Sequence, residues 1–242
     1  MTTDTLLDRA RLLWETLASV PVSFAGADEV GVVTDPNSGW CPPGWAGVVR
    51  LGGSALVTAP DEAAAEQLRA LLAGVPAQAV GEAGHYRAAG VLGPAALAYL
   101  AAEDFRPAAP PTGYTVVELD GEDPGLRELE LDSGSVDAGE AGLWEITSPA
   151  FAVRAEGRVV AAAGYRRWPG DAAHLGILTA PDFRDLGLAR ATGSAATAHA
   201  LGAGLLPQWR ARVPASRRVA VALGFRELGE QLSVQLAPQG RP

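Results

Sequence analysis

Between Arg106 and Gly113 the chain reads Arg-Pro-Ala-Ala-Pro-Pro-Thr-Gly, and these three prolines forbid a regular helix and favour an extended connector. No helix or strand is expected to cross it. The sequence therefore divides into an N-terminal part, 1–106, a connector, 107–113, and a C-terminal part, 114–237. With 242 residues, 48% of them hydrophobic, the chain can build one large domain or two small ones with sizeable cores.

The N-terminal part places Leu6, Ala10, Leu13 and Leu17 at helical spacing, followed by strand-like runs around Val30–Val33 and Val48–Val57. Asp61 is positioned to cap a helix carrying Ala64, Leu68, Leu71 and Leu72 on one face, and Pro94 to open another that runs to about Phe105. This reads as a small α/β unit. The C-terminal part gives a strand at Tyr114–Leu119, a polar helix at Pro124–Leu131 and an acidic loop. Three strands follow, at Ala150–Ala155, Arg158–Tyr165 and Ala173–Thr179, with hairpin signals at Glu156-Gly157 and Trp168–Asp171. A helix from Gly187 to about Leu201, a strand near Gln208–Val213, a helix at Pro214–Leu223 and a strand around Leu232–Leu236 complete it. Mixed α/β with antiparallel hairpins is the expected class.

Composition removes several chemistries. All 19 basic residues are arginine, so no lysine is available for a Schiff base, a P-loop or a kinase β3 position. The net charge of −9 argues against nucleic acid as the partner, because phosphate contacts need clustered cations. The single cysteine, Cys41, cannot form an internal disulfide, and the three scattered histidines have no zinc-ligand spacing, so a reducing compartment and no metal are expected. Met1–Asp4 lacks the cationic start of a signal peptide, and the most apolar run, Val91–Ala102, is too short to span a bilayer. A cytoplasmic protein away from membranes is the expectation.

The segment richest in chemistry is Leu175-Gly-Ile-Leu-Thr179, then Ala180-Pro-Asp-Phe, then Arg184-Asp-Leu-Gly-Leu-Ala189 entering a helix. A strand, a glycine-bearing turn and a helix start make an anion site, since the first helical N–H groups lack partners and the helix dipole is positive there. A pyrophosphate fits such a site, although the same turn also serves as an ordinary strand-to-helix connection. The pattern Arg184-x-x-Gly187-x-Ala189 resembles the Arg/Gln-x-x-Gly-x-Gly/Ala signature of the GNAT superfamily of N-acetyltransferases. The later Pro214-Ala-Ser216-Arg-Arg-Val-Ala-Val-Ala-Leu-Gly224-Phe225 resembles that family's next landmark, a helix ending in Gly-Phe. The likeness covers about Tyr114–Ala237.

The resemblance implies a mixed, largely antiparallel splayed sheet flanked by helices, with the N-terminal part as an accessory domain or a degenerate copy of the same fold. It implies acetyl-CoA held where two strands part, its pyrophosphate on the amides of Asp185, Leu186, Gly187, Leu188 and Ala189, and its pantetheine along Gly176, Ile177, Leu178 and Thr179. Arg184 and Arg190, with Arg217 and Arg218, would meet the adenosine phosphates, and Ser216 the pantetheine or thiol end. Direct acetyl transfer to a primary amine, of a small molecule or a peptide, is the implied activity. The tyrosine that many members carry four residues before the Gly of Gly-Phe is Ala220 here, leaving Ser216 or water as the proton donor. His174 and Glu145 are both candidates for the base, and each can also be read as an ordinary strand-end or loop side chain. A CoA-binding module without catalysis and a regulatory scaffold remain open, as does a homodimer.

Charge is unevenly spread. Glu118–Glu145 holds 10 acidic residues against Arg127 alone, whereas Ile146 to the end carries a net +6. This separation would steer a cationic amine to one side and CoA to the other.

Overall fold

The computed structural model describes residues 5–26 and 28–237, so Met1–Asp4 lies outside the described residues. In chain order the elements are α1 (Thr5–Leu17), β1 (Val30–Thr34), β2 (Ala46–Leu51), β3 (Ser54–Ala59), α2 (Glu62–Leu72) and β4 (Ala88–Tyr99). They continue with β5 (Val116–Leu119), α3 (Pro124–Ser133), α4 (Ser135–Ala141), β6 (Ala150–Ala155), β7 (Arg158–Trp168) and β8 (Ala172–Thr179). The last are α5 (Leu188–Gly202), β9 (Leu206–Ala211), α6 (Pro214–Ala222) and β10 (Arg226–Leu236). Open mixed sheet and flanking helices make this an α/β fold. The chain forms two compact units, one containing residues up to Leu97 together with those from Glu227 onward, the other 98–226.

In the first unit the strand order is β1-β3-β2-β10-β4, with β1 parallel to β3 and β2 antiparallel to both β3 and β10. The Val48–Val57 run becomes a hairpin because Gly52 and Gly53 adopt positive φ, +63° and +141°. Val48, Val57, Leu68 and Leu232 are buried together. Asp61 caps α2 as expected, its carboxylate accepting from the Ala64 N–H at 2.8 Å. The segment after Pro94 departs from expectation, for it is strand and not helix. Ala95 and Leu97 are buried around a half-buried Ala96, the alternation of a pleated strand. Gly93, at φ +111°, brings β4 so close to β10 that a Cβ there would lie 2.8 Å from the Gln231 carbonyl oxygen. Gly-Pro at this point interrupts a strand instead of opening a helix.

In the second unit the order is β9-β8-β7-β6-β5, antiparallel throughout except for the parallel pair β8 and β9. Both expected hairpins form at left-handed turns, Glu156-Gly157 and Gly170-Asp171. The acidic stretch is more ordered than a loop. Gly134 and Gly142, at φ +82° and +59°, bracket a short helix, α4, which buries Ala138. Small residues let α5 lie close to the sheet, where Ala196 and Ala200 are buried and a Cβ on Gly193 would touch the Trp209 ring at 3.4 Å. The proline-rich stretch falls inside this unit, with the Arg106 N–H donating to the Leu223 carbonyl at 3.0 Å and the Ala108 N–H to Ser194 Oγ at 2.9 Å.

Gly224 closes α6 at φ +98°, and a Cβ there would lie only 2.0 Å from the Asp104 carbonyl oxygen. Gly204 is also left-handed, at φ +73°, but faces open space. Gly204→Ala should therefore cost no more than the ~1–2 kcal/mol of a left-handed alanine, and Gly224→Ala clearly more, because backbone must move. Urea unfolding of both variants checks this, and equal losses would contradict it.

Candidate active site

The parallel register of β8 on β9 runs Ala172–Leu206, Ala173–Pro207 and His174–Gln208, and stops there. On its other side β8 stays paired with β7 as far as Thr179. Beyond His174, then, the β9 side of β8 has no register partner among the described residues, and Gly176–Thr179 forms the wall of a wedge. Two polar side-chain atoms at this wedge, Gln208 Nε2 at its closed end and Thr179 Oγ1 at its far end, are buried without a hydrogen-bond partner. Such orphans are costly unless something bonds them.

The helix α5 begins past the far end. Its cap is Gly187 at φ +79°, no side chain caps it, and the first helical bond on this cap is Ala191 N–H to the Gly187 carbonyl. The amides from Gly187 to Arg190 are thus the unpaired first-turn donors. Asp185 is also left-handed, φ +61°, and Leu186 and Asp185 are exposed. A Cβ at Gly187 would meet Pro111 only at ordinary contact, 3.6 Å. Arg190 is exposed on the same first turn. Arg184 is turned aside, its guanidinium donating to Asp137 on α4 at 2.5 Å.

A cavity of about 170 Å³ opens beside the wedge, walled by the end of α4, the turn Leu143–Glu145, and β7, β8 and β9. It unites the two candidate bases, His174 and Glu145, and adds Arg166 and Arg210. Side chains alternate along a strand, so His174, Gln208 and Arg210 share one face while Trp209 points to the other, into the core under α5. Ser216 lies with Trp209, accepting its indole N–H at 2.9 Å, and is not among the cavity's lining residues. The structure therefore does not bring Ser216 together with His174 and Glu145. Ala220 is buried in the same core as Trp209 and Phe225.

His174 is held on all sides. Its Nδ1 donates to Gln208 Oε1, since an amide oxygen can only accept, and its ring stacks on Trp168 with centroids 4.1 Å apart. Burial, together with the positive charges of Arg210 and Arg166, pushes its pKa down to about 3 against the opposing pull of the Gln208 bond. His174 is accordingly a neutral imidazole with Nδ1 protonated, a weaker base than a free histidine. Glu145 bonds Arg166 at 2.7 Å. Loss of hydration lowers the Arg210 pKa, and the Glu145 carboxylate opposes that shift.

Electrostatically the acidic stretch is not a bare field. Asp123 pairs with Arg154, Asp132 with Arg158, Asp137 with Arg184, Glu140 with Arg212 and Glu145 with Arg166. The charge halves separated in sequence are interleaved in space. Arg166, Arg210 and Gln208 were not singled out from sequence. The available signal was Gln208, one polar side chain in the apolar run Leu205-Leu-Pro-Gln-Trp209.

A family model for GNAT acetyltransferases matches residues 148–231, the stretch that contains the wedge and the helix start. Over this stretch, about a third of its length, the chain is similar to GNAT acetyltransferases. Among solved structures, the chain is similar to a GNAT-family acetyltransferase from Novosphingobium aromaticivorans, 22% identical over 61% of this chain and 65% of that one, TM-score 0.47. The chain thus spans just under two thirds of that protein's length. A GCN5-related N-acetyltransferase-like protein from Streptococcus suis is 16% identical over 95% of this chain and 99% of that one, TM-score 0.44. An acetyltransferase from Salmonella typhimurium, solved with its cofactor acetyl-CoA, is 16% identical over 54% and 98%, TM-score 0.39. No curated protein matches. Among the described residues no helix is long and apolar enough to cross a membrane, and no cluster could hold a metal ion.

The depressed His174 pKa has a definite sign for stability. Between about 3 and the ordinary value of 6.5 the unfolded chain binds a proton that the folded second unit does not, so stability rises with pH and is lost on acidification through that window. Replacing His174 by Asn should flatten the loss, by up to about 1.4 kcal/mol per pH unit. Urea midpoints measured from pH 7 to 4 test this, and parallel curves for both proteins would contradict it.

Proposed function

We propose that this chain is an acetyl-CoA-dependent N-acetyltransferase that moves the acetyl group directly to a primary amine of a small molecule. The observation that carries the proposal is the parting of β8 from β9 after His174–Gln208, next to an uncapped α5. The residues present suit CoA. Gly176–Thr179 offers a strand edge for the amide-bearing pantetheine arm, and Gln208 Nε2 is an orphan donor at the closed end of the gap. The amides from Gly187 to Arg190 suit a pyrophosphate, with Arg190 exposed beside them. When bound, the thioester supplies an acyl group activated for attack by an amine.

The side chains of the cavity would do the rest. Its volume, below the ~300–1,000 Å³ of drug-sized sites, suits the reacting end of a small amine. Glu145 presents a carboxylate oxygen to that end, and the unprotonated Nε2 of His174 can accept a hydrogen bond from it. With its pKa so low, His174 orients the amine better than it removes a proton, which leaves Glu145 as the stronger candidate base. Outside this cavity, Ser216, whose oxygen accepts the Trp209 N–H, is one candidate donor to the departing thiolate, and water is the other. A single cysteine fits a cytoplasmic enzyme.

The burial of Ala220 where relatives place a tyrosine favours one second reading, a CoA-binding protein without catalysis. Two measurements separate them. Acetyl-CoA at a hundredfold excess over Kd should stabilise the protein by about 2.7 kcal/mol, with ATP and NAD giving no shift. Absence of a shift with acetyl-CoA would end both readings. Thiol release across an amine panel should then be seen, and Glu145→Gln should lower it roughly 100-fold if Glu145 is the base. A thermal shift without any release would instead establish the binder.

A further inference from the structure

Gln208 is a fully buried polar side chain in an apolar run, and the sheet fixes its place. It is the β9 register partner of His174, at the last rung before the gap, and its Oε1 accepts the His174 Nδ1 proton. On the other flank β7 sets Arg166 directly across from His174 and Trp168 two residues further along the same face. The Trp168 indole lies on the imidazole with centroids 4.1 Å apart and planes 12° from parallel. That stack fixes the plane of the ring but not its edges. A half-turn about the Cβ–Cγ bond would keep the stack, so the Gln208 bond decides which edge faces β9 and which nitrogen holds the proton.

The choice of an amide matters. A carboxylate at this position would stabilise the imidazolium and turn the pair into a proton carrier. An amide oxygen selects the same tautomer without adding a charge. The charged groups that share the cavity with the ring are Arg166 on β7, Arg210 on β9, Glu140 at the end of α4 and Glu145 in the turn after it, and each of the two carboxylates is engaged by an arginine. The helix α5 packs on the opposite face of β8, against Ala173 and Leu175. Burial, with the charges of Arg210 and Arg166, outweighs the pull of the Gln208 bond toward protonation. From this geometry we infer that Gln208 is a positioning residue: it locks His174 as the neutral Nδ1–H tautomer and so presents the Nε2 lone pair to the cavity as a fixed, uncharged hydrogen-bond acceptor for the incoming amine. The role in acetyl transfer rests on the transferase reading; the tautomer does not.

Long-range 1H–15N correlation of the full chain, labelled with 15N at its histidines and free of ligand, reads the tautomer directly, with His174 assigned by its loss in His174→Asn. Between about pH 5 and pH 8 Nδ1 should carry the proton, Nε2 should not, and neither should titrate, since the midpoint lies at about 3. Gln208→Glu should move that midpoint up to the ordinary 6.5 or above. Gln208→Met, which keeps the volume and removes the acceptor, should abolish the tautomer preference, and it decides the matter with the wild-type spectrum should Gln208→Glu not fold. For an amine that is acetylated, Gln208→Met should lower kcat/KM about tenfold, the scale of one lost hydrogen bond. Gln208→Glu should recover most of that loss only above its new midpoint, so its rate rises with pH where the wild type shows no histidine limb. A proton on Nε2, a His174 titration in that pH range in the wild type, a tautomer unchanged in Gln208→Met, or a Gln208→Met enzyme with unaltered kcat/KM would each overturn the inference. If the tautomer is as stated but no amine releases thiol from acetyl-CoA, the transferase reading falls and the locked tautomer stands.

Discussion

Three rungs of parallel pairing hold β8 to β9, and the fourth is missing. The break falls at His174–Gln208, and each later step in the functional account uses the gap that it opens. A continuous parallel pair would satisfy its own amides and carbonyls and leave no edge for a ligand. Here the β7 side of β8 stays fully paired, which keeps the strand in place while its other edge is released. Gly176 is part of the same arrangement. An added Cβ would sit 2.2 Å from the Ala141 carbonyl, so α4 can lie over the strand only because this residue has no side chain. That contact carries the end of α4 and the turn with Glu145 up to the cavity.

The charge distribution shows how far a linear reading can mislead. Net −9 over Glu118–Glu145 and net +6 beyond it suggest a long-range dipole. Folding sets five of the ten acids of that stretch against arginines from β6, β7, the residue after β9 and the turn before α5, so half of them are paired. Exposed pairs of this kind contribute little stability, in the range of ~0–1 kcal/mol each. Their effect is on the field: they offset part of the negative charge that the sequence concentrates in this stretch.

Much of this was legible in the residues themselves, and for identifiable reasons. Hairpin turns at Glu156-Gly157 and Gly170-Asp171, the Asp61 cap and the Pro124 start depend on neighbours in sequence, and they form where local chemistry puts them. The strand, turn and helix from Leu175 to Ala189 were readable for the same reason. Pro94 misled because an apolar run after a proline suits either a helix start or a strand, and the close approach of β10 at Gly93 decides between them. The acidic segment hid α4 because a helix of seven residues owes its existence to packing on β8 and carries almost no periodic signal. Gln208, Arg166 and Arg210 were overlooked because their importance comes from facing one another across β7, β8 and β9, which no local pattern records.

The most direct test of the central claim is amide hydrogen exchange, residue by residue, with and without acetyl-CoA. Binding in the wedge should slow exchange at alternate amides between Leu175 and Thr179, those directed away from β7, and at the first-turn amides from Gly187 to Arg190. Protection confined to other parts of the chain, with these two stretches unchanged under saturating acetyl-CoA, would contradict the account at its root.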